Sequence, residues 1–467
     1  MDSKEKLMKY ELALTNLANI LSKYQNIFDV CMVDFVTRNV IDKAIPPNLR
    51  ESMRQLSENE ISLLPSYFFS QQNSNVIKTS PLDEIIQELQ QYTLESLNVV
   101  DEKENFLIKL NSIGRKESIT SLKHFDKFMS DKKMHEVEIM SETIRHLCMK
   151  KDVDTLIDLG SGKAYLSQVL AASDENLQIL AIDSSSENSE GAKKRSDRLS
   201  SKWDALKKRA EYRALGQEPP VRSKHSRSKR KPNNNDASKE VRKIDEKLKY
   251  ITKFVDINTN LKLLLLESFN DRNTTISEFN NDRLGLIGLH TCGNLAPNSI
   301  KLWLSNDSMK FICNVGCCYH HLDEEFYRSP YLKKDQESNI TPTFPLSSKL
   351  KSLRYKLGRS ARMIAAQPMD RLRTNKELPS ESLLWRAILQ HILLTHNPEL
   401  NFGDHQVFTL EYHLIGGIQL FLKFNAFSNF LKLFLILHFR WEELHQNVLH
   451  LRIMLKRLSK NLIFSSA

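Results

Sequence analysis

Cysteine is scarce in this sequence, with six residues among 467. The six are either scattered or crowded into one short stretch, and neither arrangement indicates a disulfide framework. The residues after Met1 are charged and contain no apolar core, so we expect no secretory signal. Both absences favour a reduced compartment, and we predict a cytoplasmic or nuclear protein.

Long hydrophobic runs are also absent. The most apolar part of the chain, His413–Phe439, is interrupted by Lys423 and Lys432, whereas a membrane-spanning helix needs about 20 apolar residues. We therefore expect no membrane contact. The pattern favours a hairpin with strands at Ile415–Phe424 and Leu431–Phe439, and a helical tail is the alternative.

The net charge of +10 comes from one segment of the chain. Residues 193–249 contain 20 Lys and Arg against 8 Asp and Glu, whereas the remainder contains 47 against 49. The middle of this segment, about Pro219–Ser238, has almost no aliphatic residues, so we predict a disordered insertion. Besides a solvated loop, the segment could be a nuclear-import signal or an arm that contacts RNA phosphates electrostatically. It has too few aromatic residues to stack on bases.

A glycine loop follows an apolar run in "TLIDLGSGKAYLSQVLA", residues 155–171. An ATP-type phosphate loop requires G-x-x-x-x-G-K-[ST]. Here Gly162 and Lys163 are followed by Ala164, and Ile157 stands where the first glycine belongs. A dinucleotide loop requires a third small residue where this chain has Tyr165. Both phosphate-binding motifs are therefore excluded.

An acid before the glycines favours S-adenosylmethionine as the ligand. Asp158 would repel a pyrophosphate, but it tolerates a ligand with a sulfonium and an ammonium group. The next apolar run ends 25 residues later at Asp183, where an acid binds ribose hydroxyls. We assign Asp158, Gly160 and Gly162 to the methionine part of the cofactor, Asp183 to the ribose and Asp256 to the neighbourhood of the adenine. The alternative is a strand-turn-helix unit with two capping aspartates.

Strand candidates separated by helices predict an α/β fold, the Rossmann-like sheet of class I methyltransferases. Five candidates end near Asp158, Asp183, Asp256, His290 and the Cys317-Cys318 pair. Helical patterns over about 5–36, from Asn48 and over 82–97 predict an N-terminal accessory region. The predicted organisation is a helical accessory region at 1–115, a methyltransferase domain at 120–440 with the basic insertion at 193–249, and a C-terminal tail at 441–467.

Cysteine and histidine are concentrated at the ends of the last two predicted strands. Residues that alternate along a strand point to opposite faces, so few of these side chains should converge. We predict small polar pocket walls and assign no metal ligand, with metal binding and a reactive thiol as the alternatives. We expect His290, Cys317, Tyr319 and His320 to form the catalytic, acceptor-facing side.

Several blocks of this chain resemble the methyltransferase-like protein 25 family, which includes relatives labelled ribosomal RNA adenine dimethylase domain-containing. The resemblance covers about residues 120–395 and is carried by "KKMHEV", "DLGSGKAYLS", "HTCGNLAPNSI", "NVGCCYHHL", "RMIAAQPMDR" and "LLWRAILQHIL". The last two blocks contain Arg362, Gln367 and Arg386. Asn294 stands where relatives tend to have aspartate, and the C-terminal residues do not resemble the family's final strand pair.

The resemblance implies a methyltransferase that uses S-adenosylmethionine. Amino-group methylases of adenine use an [Asn/Asp]-[Ile/Leu]-Pro-[Tyr/Phe] block to hold the base, and this chain has none. Adenine dimethylation is therefore only one option. We predict a methyltransferase with an RNA or protein acceptor. The alternative is a non-catalytic RNA- or protein-binding module on a degenerate methyltransferase fold.

Overall fold

The computed structural model divides the chain into two compact units, residues 1–383 and 384–467. The predicted disordered insertion, the hairpin at 415–439 and the C-terminal tail lie outside the described residues, and so do Gln367 and Arg386. In the second unit, only scattered positions between 387 and 398 are described. In the first unit, isolated positions are described in addition to the main ranges 3–31, 37–57, 81–101, 129–173, 176–197, 246–269, 283–327 and 342–366.

The part of the first unit before the sheet is helical. Its elements are α1 (Ser3–Lys23), α2 (Gln25–Phe28), α3 (Val40–Ala44), α4 (Pro47–Arg54), α5 (Pro81–Gln90) and α6 (Asp131–Lys151). The helix predicted over 5–36 is wrong in its length, because the chain leaves helical geometry at Tyr24, with φ −105° and ψ 14°. The helix predicted over 82–97 likewise ends earlier, at Gln90. The predicted domain boundary near residue 115 lies outside the described residues and stays a prediction.

Five parallel strands form the sheet, in the order β3-β2-β1-β4-β5. They are β1 (Thr155–Leu159), β2 (Gln178–Asp183), β3 (Leu248–Thr252), β4 (Leu284–Cys292) and β5 (Met309–Cys317). The predicted α/β, Rossmann-like methyltransferase fold is confirmed. Two predicted strand ends are wrong: β3 ends at Thr252 rather than near Asp256, and β4 continues past His290 to Cys292. All five strands run the same way, so their carboxyl ends lie at one edge of the sheet, called here the carboxyl edge.

Helices cover both faces of this sheet, which explains the unbroken apolar runs in its strands. The later helices are α7 (Tyr165–Ser173), α8 (Leu261–Phe269), α9 (Leu295–Leu304), α10 (Ser348–Ser352) and α11 (Arg359–Ala365). One hydrophobic core contains residues of α6 and α7 with Leu156, and the other contains residues of α8 and α9 with Ile157 and Leu159. Asp158 lies between these residues in β1 and points to the α7 side, where it contacts Ser167.

The ends of the basic segment are ordered. Residues 193–197 are helical, and Leu248 and Lys249 belong to β3, so the insertion predicted at 193–249 is shorter than proposed. Residues 198–245 lie outside the described part of the chain. Among the helices described, none is both long and apolar enough to cross a membrane.

Candidate active site

The loop between β1 and α7 contains three residues in the left-handed backbone conformation. The φ angles of Gly160, Gly162 and Ala164 are 67°, 55° and 53°. Glycine adopts this conformation freely, whereas Ala164 does so at a cost of order 1–3 kcal/mol. The Ser161 N–H donates to the Ile182 carbonyl at 3.1 Å, which fastens the loop to β2. The glycine loop is thereby fixed at the carboxyl edge.

The two glycines of this loop have different surroundings. A Cβ on Gly160 would lie 2.9 Å from Leu295 Cδ2 and 3.0 Å from the His290 carbonyl oxygen. A Cβ on Gly162 would meet no atom within 4 Å. Gly160 is therefore needed for close packing against β4 and α9, while Gly162 faces open space.

Alanine substitutions should separate these two roles. Gly160→Ala and Gly162→Ala both place a Cβ at positive φ, which costs about 1–2 kcal/mol. Gly160→Ala should cost a further 1–3 kcal/mol or so, because the new methyl group forces the neighbouring atoms to move. Urea unfolding of both variants measures the difference, and equal destabilisation would show that the close approach at Gly160 is unimportant.

Asp183, the last residue of β2, accepts a hydrogen bond from the glycine loop. Its Oδ2 accepts a hydrogen bond from the Gly162 N–H at 2.8 Å. Its Oδ1 accepts from the Ser185 N–H at 2.9 Å and from Asn188 Nδ2 at 3.0 Å. The last residue of β2 is therefore held in a fixed orientation beside the glycine loop, as the spacing from Asp158 predicts.

Asp158 is enclosed beneath this loop. Its residue surface is 1% exposed, and its Oδ2 accepts a hydrogen bond from the Ser167 hydroxyl of α7. Burial raises the pKa of the Asp158 carboxyl to about 7, the hydrogen bond from Ser167 lowers it, and the charge of Asp183 raises it further. Asp158 is thus a buried acid that joins β1 to α7, and its predicted contact with a methionine group stays a prediction.

The loop after β3 contains Asp256, the residue assigned to the adenine. Its Oδ1 accepts from the Asn258 N–H at 3.1 Å and from the Thr259 hydroxyl at 2.9 Å, so it stabilises the turn before α8. Phe254, which the sequence analysis missed, is 75% exposed in the same loop. The neighbouring Lys253 N–H donates to the Asp183 carbonyl at 2.8 Å. An aromatic residue just after the third strand is the signal that could have indicated a surface for a planar ligand.

The residues predicted to face the acceptor lie at the carboxyl ends of β4 and β5. The His290 side chain is 52% exposed, and its Nε2 is 3.7 Å from Glu136 Oε2 on α6. Tyr319 is 40% exposed and begins a 3-10 turn, Tyr319–His321. The rings of His320 and His321 lie against each other with centroids 4.1 Å apart. The His290 imidazole and the Tyr319 phenol are therefore accessible at the carboxyl ends of these strands.

Three thiols converge at the same edge. The Sγ atoms of Cys292, Cys317 and Cys318 all lie within 4.8 Å of one another, and those of Cys292 and Cys317 are 3.0 Å apart. Few of the cysteine and histidine side chains at these strand ends are expected to converge, and these three do, although alternation along a strand would separate the adjacent Cys317 and Cys318. The strand ends at Cys317, and Cys318 has φ 51°, so the alternation stops between the two adjacent cysteines. We call these three residues the thiol cluster.

The thiol cluster adjoins Asp183. Partial burial raises the pKa of the Cys292 thiol, and Cys318 and the charge of Asp183 raise it further, against a lowering by Cys317. Burial and the neighbouring thiols also raise the pKa of Cys317 far above its ordinary range. The raised pKa values of both thiols disfavour the reactive-thiolate alternative. The charge of Asp183 therefore acts on both Asp158 and Cys292.

Comparison with known proteins agrees with this geometry. Residues 132–325 match a family model described as "Methyltransferase domain". This part of the chain is therefore similar to a methyltransferase domain. It is 27% identical over 446 residues to the mouse protein "Probable methyltransferase-like protein 25", and the match covers 77% of this chain and 73% of the mouse protein.

The human protein of the same name is also 27% identical, over 389 residues that cover 65% of this chain and 61% of the human protein. No solved structure matches this chain. These findings confirm the resemblance to the methyltransferase-like protein 25 family.

A buried ion pair lies near the thiol cluster, and it joins Glu324 to Arg362. Only Arg362 was named in the resemblance to the family. Arg362 Nε donates to Glu324 Oε1 at 2.6 Å, and the side chains of these residues are 5% and 0% exposed. Arg362 Nη1 also donates to the carbonyls of Tyr319 and Leu322, both at 2.7 Å. Arg362 therefore holds the turn that directly follows the thiol cluster.

Asn294 connects the end of β4 to the same region. Its Oδ1 accepts from the Asp323 N–H at 2.8 Å and from the Thr343 hydroxyl at 2.6 Å, and its Nδ2 donates to Asp323 Oδ2. An aspartate at this position would lack the donor and would meet a second carboxylate. The amide is therefore matched to its neighbours in this chain and stabilises the segment.

Proposed function

We propose that this protein is a methyltransferase that uses S-adenosylmethionine and binds it at the carboxyl edge between β1 and β2. The observation that carries the proposal is the hydrogen bond from the Gly162 N–H to Asp183. It joins the glycine loop of β1 to the terminal acid of β2, and open space lies next to Gly162. Ligands of open α/β sheets bind at this edge, outside the carboxyl ends of the strands.

The residues at this edge fit S-adenosylmethionine better than a phosphate-containing nucleotide. A carboxylate offers about four acceptor positions, and internal donors use three of those of Asp183. The remaining position can accept a ribose hydroxyl. The Asp183 carboxylate places negative charge at the loop, which attracts a cationic ligand and repels a pyrophosphate.

In this proposal each residue contacts a different part of the cofactor or the acceptor. Gly160 and Gly162 shape the loop around the methionine part, Asp183 orients the ribose, and the exposed Phe254 offers its ring to the adenine. When bound, the cofactor supplies an electrophilic methyl group on its sulfonium sulfur. His290, Tyr319 and His320 line the path by which an acceptor reaches this edge. Alignment of the acceptor contributes most of the acceleration, so a general base is useful rather than essential.

The acceptor is proposed to be a macromolecule, either RNA or protein. The accessible imidazole and phenol groups lie on an open surface rather than in a closed pocket, because His290 and Tyr319 are 52% and 40% exposed. The basic residues of 193–249 add an electrostatic contact for RNA phosphates in this proposal.

Asp183→Asn should weaken binding of S-adenosylmethionine by about 10–100-fold. A hydrogen bond to a charged group contributes about 1.5–3 kcal/mol. The neutral amide has a single acceptor oxygen, so its NH2 group must face either the Gly162 N–H and the ribose or the two donors that Oδ1 accepts from. Calorimetric titration measures the dissociation constant. Asp307→Asn makes the same change in an exposed loop before β5, at the opposite edge, and should leave the constant unaltered. Equal affinity in a folded Asp183→Asn variant would refute the ribose assignment.

Transfer of a labelled methyl group tests the activity itself. Full-length protein is incubated with a cell extract and S-adenosylmethionine labelled on the methyl group, and the labelled product is treated with ribonuclease or protease. We expect a macromolecular product with the wild type and little with Asp183→Asn. Release of label by ribonuclease identifies RNA as the acceptor, and release by protease identifies protein. Cofactor binding without any labelled product would favour the non-catalytic binding module.

A further inference from the structure

The thiol cluster has a geometry that neither the methyl donor nor a structural role explains. Cys292 and Cys317 are register partners on the adjacent parallel strands β4 and β5, so their side chains lie on the same side of the sheet. Cys318 would point to the other side if the strand continued. Its left-handed backbone conformation, φ 51° and ψ 48°, instead brings its thiol to the other two.

This conformation is costly for a residue with a side chain. A non-glycine residue at positive φ costs of order 1–3 kcal/mol and persists only where its surroundings impose it. Here the buried Arg362 holds the following turn through the carbonyls of Tyr319 and Leu322. The fold therefore stabilises the backbone that gathers the three thiols.

The geometry points to a metal site, and we propose that Cys292, Cys317 and Cys318 together bind one Zn²⁺ ion. Zinc is coordinated by cysteine sulfur at about 2.3 Å in tetrahedral sites, which places the sulfur atoms about 3.8 Å apart. The three Sγ atoms lie within 4.8 Å of one another before any metal is bound, so small side-chain rotations complete the site. Thiolate ligands select soft metals of this kind over Mg²⁺ or Ca²⁺.

Water occupies the fourth position in this proposal. Among the residues that the structure describes, no histidine, aspartate or glutamate joins the mutual cluster of three sulfur atoms. Cys292 is exposed, so solvent reaches the site. Catalytic zinc sites have three protein ligands and one open position, whereas structural zinc sites have four protein ligands.

A disulfide accounts for less of the geometry. A bond between Cys292 and Cys317 would use two of the sulfur atoms and leave the strained Cys318 without a function. Metal binding uses all three thiols and explains why the chain accepts the left-handed residue. The inference goes beyond the proposed methyl transfer, because metal binding needs neither the donor nor the acceptor.

Cobalt substitution tests the site directly. Full-length protein is reduced with a phosphine, freed of metal with a chelator and titrated with Co²⁺ without oxygen. We expect one equivalent to bind, with near-ultraviolet thiolate-to-cobalt charge-transfer absorption and the visible bands of tetrahedral cobalt, and we expect Zn²⁺ to displace it. Cys292→Ser, Cys317→Ser and Cys318→Ser should each weaken binding by more than about 100-fold, beyond the effect of losing an outer-shell partner.

Cys313→Ser is the matched control. Cys313 lies on the same strand, but its thiol contacts Met140 Sδ at 3.8 Å, away from the cluster, so the variant should bind Co²⁺ as the wild type does. The proposal is overturned if the reduced wild type binds no Co²⁺, or if the three cluster variants and Cys313→Ser bind equally. It is also overturned if the cluster yields only a Cys292–Cys317 disulfide on oxidation and no metal complex when reduced. The titration contains no S-adenosylmethionine, so its failure leaves the proposed donor site unaffected.

Discussion

Replacing Arg362 with alanine is expected to lower the free energy of unfolding by about 3–5 kcal/mol. The loss is large because Glu324 would remain as a buried charge without its partner. Glu324 also accepts from the Leu357 and Gly358 N–H groups, at 2.8 and 3.0 Å, so these hydrogen bonds would weaken as well. Urea unfolding followed by circular dichroism measures the effect.

A neighbouring exposed ion pair provides the control for Arg362→Ala. Lys351 Nζ lies 3.2 Å from Glu325 Oε2, with side chains 47% and 40% exposed. Lys351→Ala should cost no more than about 1 kcal/mol, because solvent screens exposed pairs. If Arg362→Ala were no more destabilising than Lys351→Ala, the buried pair would not hold the turn after the thiol cluster.

Asp158→Asn should make the protein more stable at pH 8. An unfolded aspartate ionises near 3.8, but the folded Asp158 stays protonated up to about 7, because burial raises its pKa. The free energy of unfolding of the wild type therefore decreases as the pH rises from about 4 to about 7, and the full loss of stability is present above about pH 7. The difference between the folded pKa of about 7 and the unfolded value of 3.8 corresponds to a loss of stability of at most about 4 kcal/mol. The amide avoids this cost, and its oxygen still accepts from Ser167.

The pH dependence makes this result specific. Thermal unfolding of the variant and the wild type should differ most at pH 8, differ less at pH 5 and coincide below about pH 3, where Asp158 is protonated in both states. Asp307→Asn controls for the loss of one carboxylate at an exposed position. A variant that is less stable than the wild type at pH 8 would mean that the ionised carboxylate stabilises the fold. A cationic ligand nearby would lower the pKa of Asp158, which is a reason for the proposed enzyme to retain an acid there.

The fold could be predicted largely from local patterns. Apolar runs of strand length ended at Asp158 and Asp183, and helical patterns separated them, so the order of elements followed. Strand ends were less certain: β4 continues to Cys292 because its last residues pair with β5, and such pairing leaves no local signal. The helix predicted over 5–36 divides at Tyr24, where the apolar spacing alone gives no warning.

The site could be predicted only where its residues lie close in sequence. The glycine loop and Asp183 were identified because strand, turn and helix follow one another. The convergence of the three thiols depends on the register of two strands and on one left-handed residue, and neither is visible in the sequence. The buried pair of Glu324 and Arg362 joins residues 38 positions apart, so only the tertiary structure reveals it.

Titration of S-adenosylmethionine into the full-length protein by isothermal calorimetry tests the central claim most directly. We predict saturable binding to one site, similar binding of S-adenosylhomocysteine, which keeps the ribose, and no competition by ATP, whose phosphates the Asp183 carboxylate repels. Absence of binding at millimolar S-adenosylmethionine by the folded protein, or displacement of S-adenosylmethionine by ATP, would contradict it.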